Sequence, residues 1–85
     1  MSDQQSSKQA QSPVSEAQNA VKNVQNAAAQ MESHPNAQTL EGAENAIEQA
    51  ERAIAQAQTS ADQRAVAESG EQLTEARQRI EQAKE

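Results

Sequence analysis

The chain has 85 residues, no cysteine, no aromatic side chain and a formal net charge of −6. Such a length allows one small domain; the missing cysteines exclude a disulfide staple and thiol chemistry; and the missing aromatics remove base-stacking platforms and the usual interface anchors. Acidity opposes phosphate backbones and anionic lipids, so neither nucleic acid nor a membrane surface is expected as a partner.

The opening MSDQQSSKQAQS is rich in Gln and Ser and has no large aliphatic after Met1. It reads as a disordered tail over residues 1–12. It lacks the basic start and apolar run of a signal peptide. No window of the chain approaches the ~20 apolar residues that span a bilayer. A cytoplasmic location is the expectation that follows.

Ser12-Pro13 then offers a serine N-cap followed by proline at the first helical position. A first helix over about 13–33 should end at His34-Pro35, because the residue before proline is pushed out of α geometry. A second helix is expected over about 36–58, starting within Pro35-Asn36-Ala37-Gln38. Between it and a third helix, over about 61–84, lies Gln58-Thr59-Ser60-Ala61-Asp62-Gln63, where Ser60 and Gln63 have the spacing of a capping box. This second break contains neither Gly nor Pro, so one continuous helix from 36 to 85 is the rival reading. Gly70, with Ser69 and Gln72 around it, could interrupt the third helix with a kink and a second capping box.

Three segments superpose at an offset of 26 residues. The first carries Val14, Ala17, Val21, Val24, Ala28 and Met31; the second Leu40, Ala43, Ile47, Ala50, Ile54 and Ala57; the third Val66, Ser69, Leu73, Ala76, Ile80 and Ala83. Each set has the 3-4-3-4-3 spacing of heptad a and d positions. Apart from Met1, every Val, Ile, Leu and Met of the chain falls on this grid. At about 100° per residue, a 26-residue offset turns the stripe by ~80°, so a continuous helix would present a wandering face. A turn near 58–61 resets the phase.

The expectation is therefore an all-α fold, a small up-down-up three-helix bundle over residues 13–85. Antiparallel pairing of neighbours generates the layers Val14–Ala57–Val66, Ala17–Ile54–Ser69, Val21–Ala50–Leu73, Val24–Ile47–Ala76, Ala28–Ala43–Ile80 and Met31–Leu40–Ala83. Each holds at least one large and one small side chain, the condition for dense packing without strain. Alanines at the g positions, Ala20 and Ala27 facing Ala46 and Ala53, let the first two backbones approach closely. Arg77, at an e position of the third helix, is expected opposite Glu44.

No catalytic, cofactor-binding or metal-ligating residue is assigned. His34, the lone histidine, precedes a proline and has no second His or Cys to share a metal with. Glu44 with Glu48, and Glu71 with Glu75, stand one turn apart, but the Glu-x-x-His of a di-iron bundle is missing. Ser69, the one polar grid member, is expected to bond a carbonyl one turn back rather than to attack a substrate. No phosphate loop or nucleophile motif occurs. An amphipathic helix for a membrane surface would carry Lys or Arg on its polar face, whereas these polar faces are acidic.

The Gln/Ala/Glu-rich, aromatic-free and strongly hydrophilic composition resembles that of short helical proteins of spore-forming Gram-positive bacteria. It is also similar to that of their small acid-soluble spore proteins of the storage type. That resemblance implies a hydrophilic stress or storage protein, although the heptad grid departs from the irregular repeats of storage proteins. The stripes themselves point to a non-enzymatic structural or protein-interaction role, with an unknown protein partner or self-association through helical faces, and with no small-molecule substrate.

Overall fold

Residues 12 to 84 are described by a computed structural model; most of the segment read as a disordered tail lies outside them. Among the described residues three helices follow one another: α1 Pro13–Ser33, α2 Ala37–Ala57 and α3 Gln63–Lys84. They pack as an up-down-up bundle in which each helix touches the other two. The α1–α2 interface is the most extensive and the α2–α3 interface the least.

The first boundaries form as their residues dictate. Ser12 stays extended, and its hydroxyl accepts from the Ser15 N–H at 3.1 Å while Pro13 occupies the first turn. At the other end His34 leaves helical geometry ahead of Pro35, and its N–H still donates to the Gln30 carbonyl at 2.7 Å. One residue beyond Pro35, Asn36 caps α2 reciprocally with Thr39. The Asn36 Oδ1 accepts from the Thr39 N–H at 2.9 Å, and the Thr39 Oγ1 accepts from the Asn36 N–H at 3.1 Å. Two helix-end amides are satisfied by one pair of side chains.

The second turn departs from its expected capping. Ser60 and Gln63 do not form the box; α3 begins at Gln63, and Asp62 caps it by accepting from the Ala65 N–H at 3.2 Å. Aspartate is a favoured N-cap residue and adds a charge favoured at a helix N-terminus. Ser60 serves the turn instead, its Oγ accepting from the Asp62 N–H at 3.2 Å. Gln63 reaches back to donate to the Gln58 carbonyl at 2.9 Å and to that of Ser60. The end of α2 tightens as it unwinds. Its last bonds, Gln58 N–H to Ala55 at 3.3 Å and Ser60 N–H to Ala57 at 2.9 Å, span three residues rather than four.

The helix α3 runs unbroken through Gly70, so no second capping box interrupts it there. A bond to a carbonyl one turn back does occur, but Thr74 makes it, donating to Gly70 at 3.0 Å. Ser69 is buried.

Every buried residue among the described residues lies on the grid, and no grid residue is fully exposed. Val21, Val24, Ala28, Ala43, Ala50, Leu73, Ala76 and Ile80 form the main core with Met31. Ala17, Ala57 and Val66 form a smaller cluster toward the second turn, and Ile54 packs against both. The g-position alanines Ala20, Ala27, Ala46 and Ala53 are half-buried, as the wide α1–α2 interface requires. Burial is nevertheless unequal. Along α1, five of the six grid positions are buried, Val14 being the exception; along α2 the alanines Ala43, Ala50 and Ala57 are buried, while Leu40, Ile47 and Ile54 are only half-buried.

Two ion pairs report helix direction. Arg79 donates from Nε and Nη2 to Glu32 at 3.0 and 2.8 Å, a bidentate grip from α3 to α1. In-layer residues of these helices, such as Val14 and Val66, differ by twice the 26-residue offset. A separation of 47 is five fewer, the g-to-e pairing of parallel neighbours. Arg77 bonds Glu51 at 3.1 Å, not Glu44. Helical side chains lean toward their own N-terminus. With α2 and α3 antiparallel, Arg77 leans toward the C-terminal end of α2 and Glu51 leans to meet it, whereas Glu44 leans away.

Candidate interaction surface

His34 stands exposed at the end of α1, and Glu44, Glu48, Glu71 and Glu75 are all on exposed helix faces. Among the described residues no group of three or more His, Asp or Glu side chains could hold a metal ion. No helix among them is long and apolar enough to cross a membrane.

What the bundle offers is surface. The outer face of α2 carries Glu41, Glu44, Glu48 and Glu51 at 3-4-3 spacing, with Arg52 its only cation. This acidic row runs beside the half-buried row of Leu40, Ile47 and Ile54, because e and b positions follow a around the helix. Arg52 approaches Glu48 at 3.7 Å and Arg77 engages Glu51. Among the described residues no cation comes within 4.0 Å of Glu41 or Glu44.

Two clefts flank the first turn. One, of about 240 Å³, has Met31 at its floor, Leu40 and Ala37 on one wall, and Ala83 and Lys84 on the other. It is the end of the α2–α3 seam, where the bundle's least extensive interface meets its last layer. The other, of about 280 Å³, lies on the α1–α3 side and is bounded by Glu32, Arg79 and Gln82. A third depression touches α3 alone and has no opposing wall.

Electrostatics at the second cleft are set by its ion pair. The hydrogen bond from Arg79, aided by that residue's charge, holds the Glu32 carboxyl below its ordinary value against slight desolvation. The same bond raises Arg79. At the first cleft, Lys84 is engaged by Glu81 at 3.3 Å.

Sequence reasoning placed Met31, Leu40 and Ala83 in one layer but did not foresee that this layer is open. The signal was its position: it is the terminal layer, bounded by a proline turn that carries no large apolar side chain to close it. No family model, curated protein or solved structure matches the chain.

Proposed function

We propose that this chain is a small acidic helical protein of structural or protein-interaction type, without catalytic activity and working in the cytoplasm. The observation that carries the reading is the unequal burial of its three stripes. The α1 stripe is almost wholly consumed by the bundle, while the large aliphatics of α2 remain half-buried beside an acidic row. A helical partner would complete that coverage. The acidic outer faces argue against nucleic acid and anionic membranes as partners.

The test is photo-crosslinking in the native cell, with the probe placed in turn at exposed Asn23, Gln49 and Gln78 and at Glu44. A discrete protein adduct from one face, absent from the others, supports an interaction role. No adduct from any position would contradict it. A thermal melt followed by circular dichroism separates this reading from the hydrophilic storage or stress role implied by composition. A packed interaction module melts cooperatively, whereas a storage-type chain loses helicity gradually.

A further inference from the structure

The cleft at the open end of the α2–α3 seam joins three features that the bundle does not use for itself. Its lining is mainly aliphatic, with Met31, Leu40 and Ala83 from three helices, and polar at Asn36 and Lys84. Two turns along α2 from Leu40 stands half-buried Ile47, and the Arg77–Glu51 pair joins α3 to α2 further on. On α2 beside it stand two carboxylates, Glu41 and Glu44, with no cation within 4.0 Å among the described residues, while Lys84, the cation in the cleft's own lining, is engaged by Glu81.

Size narrows the occupant. At about 240 Å³ the cleft falls below the ~300–1,000 Å³ usual for small-molecule sites. It suits one or two aliphatic side chains projecting from a larger body. A helix laid in a groove presents such anchors at i, i+3 or i+4, and the Leu40-to-Ile47 run is about 10 Å, two turns of partner helix. Charge narrows it further. A second copy docking through the same face would set two Glu41/Glu44/Glu48 rows against each other, between chains of net charge −6 each. A partner helix with Lys or Arg beside its apolar stripe meets the rim with opposite charge.

We infer that this cleft receives aliphatic side chains from an amphipathic helix of a partner protein, with basic residues of that helix lying against Glu41 and Glu44. The inference rests on the interaction reading above and adds the place and the chemistry of the partner.

The experiment titrates the full-length, isotope-labelled protein with two synthetic 18-residue helical peptides. They share one Leu/Ala stripe and carry either Lys or Glu at the flanking positions. At low ionic strength the Lys peptide should shift resonances of Met31, Leu40, Ile47 and Ala83, and bind at least 10-fold more tightly than the Glu peptide. The variant Glu41→Lys/Glu44→Lys changes only exposed positions and should abolish or reverse that preference while its melt remains cooperative. Equal affinity for both peptides, shifts confined to other faces, or no binding would overturn the inference. So would concentration-dependent shifts of these same resonances without peptide, which would make the occupant a second copy. Crosslinked adducts arising from another face would then leave the broader interaction role standing; adducts from none would remove both.

Discussion

The two turns of this bundle accomplish the same reversal with different chemistry. The first is three residues long, with a proline that cannot continue the helix and a reciprocal Asn36–Thr39 cap. Thr39 also lies 2.7 Å from the His34 carbonyl and 3.2 Å from Met31 Sδ, so this cap touches both helices it separates. The second turn has no residue that forbids a helix. Gln58 still has helical backbone angles, and the break is fixed by hydrogen bonds from Ser60, Asp62 and Gln63. Such side-chain bonds compete with helix rather than exclude it. The helices follow the same contrast: α1 and α2, joined by the locked turn, share the widest interface, and α2 and α3 share the narrowest. A bundle of this size can thus be divided into a firmly joined hairpin and a third helix docked mainly on α1.

Substitutions in the two halves of the core should expose that division most strongly. Ile80→Ala removes a side chain that is 2% exposed and should cost ~2–5 kcal/mol, read as a fall in urea midpoint. Ile47→Ala removes the same atoms from a half-buried site and should cost less than half as much. Equal losses would mean that the α2–α3 seam is as closed as the rest of the core.

The caps come next. Asn36→Ala combined with Thr39→Ala leaves two helix-end amides of the first turn without their side-chain acceptors, and should cost about 1–2 kcal/mol in thermal or chemical melts. Asp62→Ala removes a single acceptor, so a loss of ~0.5–1 kcal/mol is expected. A larger effect for Asp62→Ala would invert the ranking of the turns.

Gly70 is a smaller test and has the opposite sign. It lies inside a continuous helix, and a Cβ built there meets nothing within 4 Å. Gly70→Ala should therefore stabilise the protein by ~0.5–1 kcal/mol. At about 4–8 °C per kcal/mol for a domain of this size, calorimetry would detect the rise in Tm. A fall would show that α3 needs the glycine for an approach by α2.

The smallest effect concerns pH. Because Arg79 depresses the Glu32 carboxyl in the folded state, their pair contributes stability at pH values above the unfolded carboxylate value, and that contribution is lost as pH falls through the folded one. Both side chains are nearly half exposed, so the effect is slight and screened by salt. Glu32→Gln should lower stability slightly at neutral pH and flatten the acid limb, the variant and parent profiles converging below the folded Glu32 value. An unchanged acid limb would show that the α1–α3 bridge is not formed in solution.

Much of this architecture was readable from residue spacing. The grid named the whole core because a and d positions are fixed by helix periodicity, which does not depend on knowing the partner. Pro13 and Pro35 marked helix boundaries for a covalent reason, the fixed ring and the missing amide. The second turn was less legible, since Ser60, Asp62 and Gln63 can each cap, and geometry decides among them. Placing Arg77 opposite Glu44 ignored the lean of helical side chains, which moves the meeting point by one heptad. The unequal burial of Ile47 and Val24, though they share a layer, was also invisible: layers state which residues face inward, not how widely two helices stand apart. The open cleft at Met31, Leu40 and Ala83 follows from that spacing and was missed for the same reason.

Methyl-to-methyl nuclear Overhauser contacts would probe the mutual sheltering of the three stripes most directly. In a monomeric sample, Val21 should contact both Ala50 and Leu73, and Met31 should contact both Leu40 and Ala83. Contacts between α1 and α3 that appear only between differently labelled chains, or not at all, would contradict a single chain folded back twice on itself.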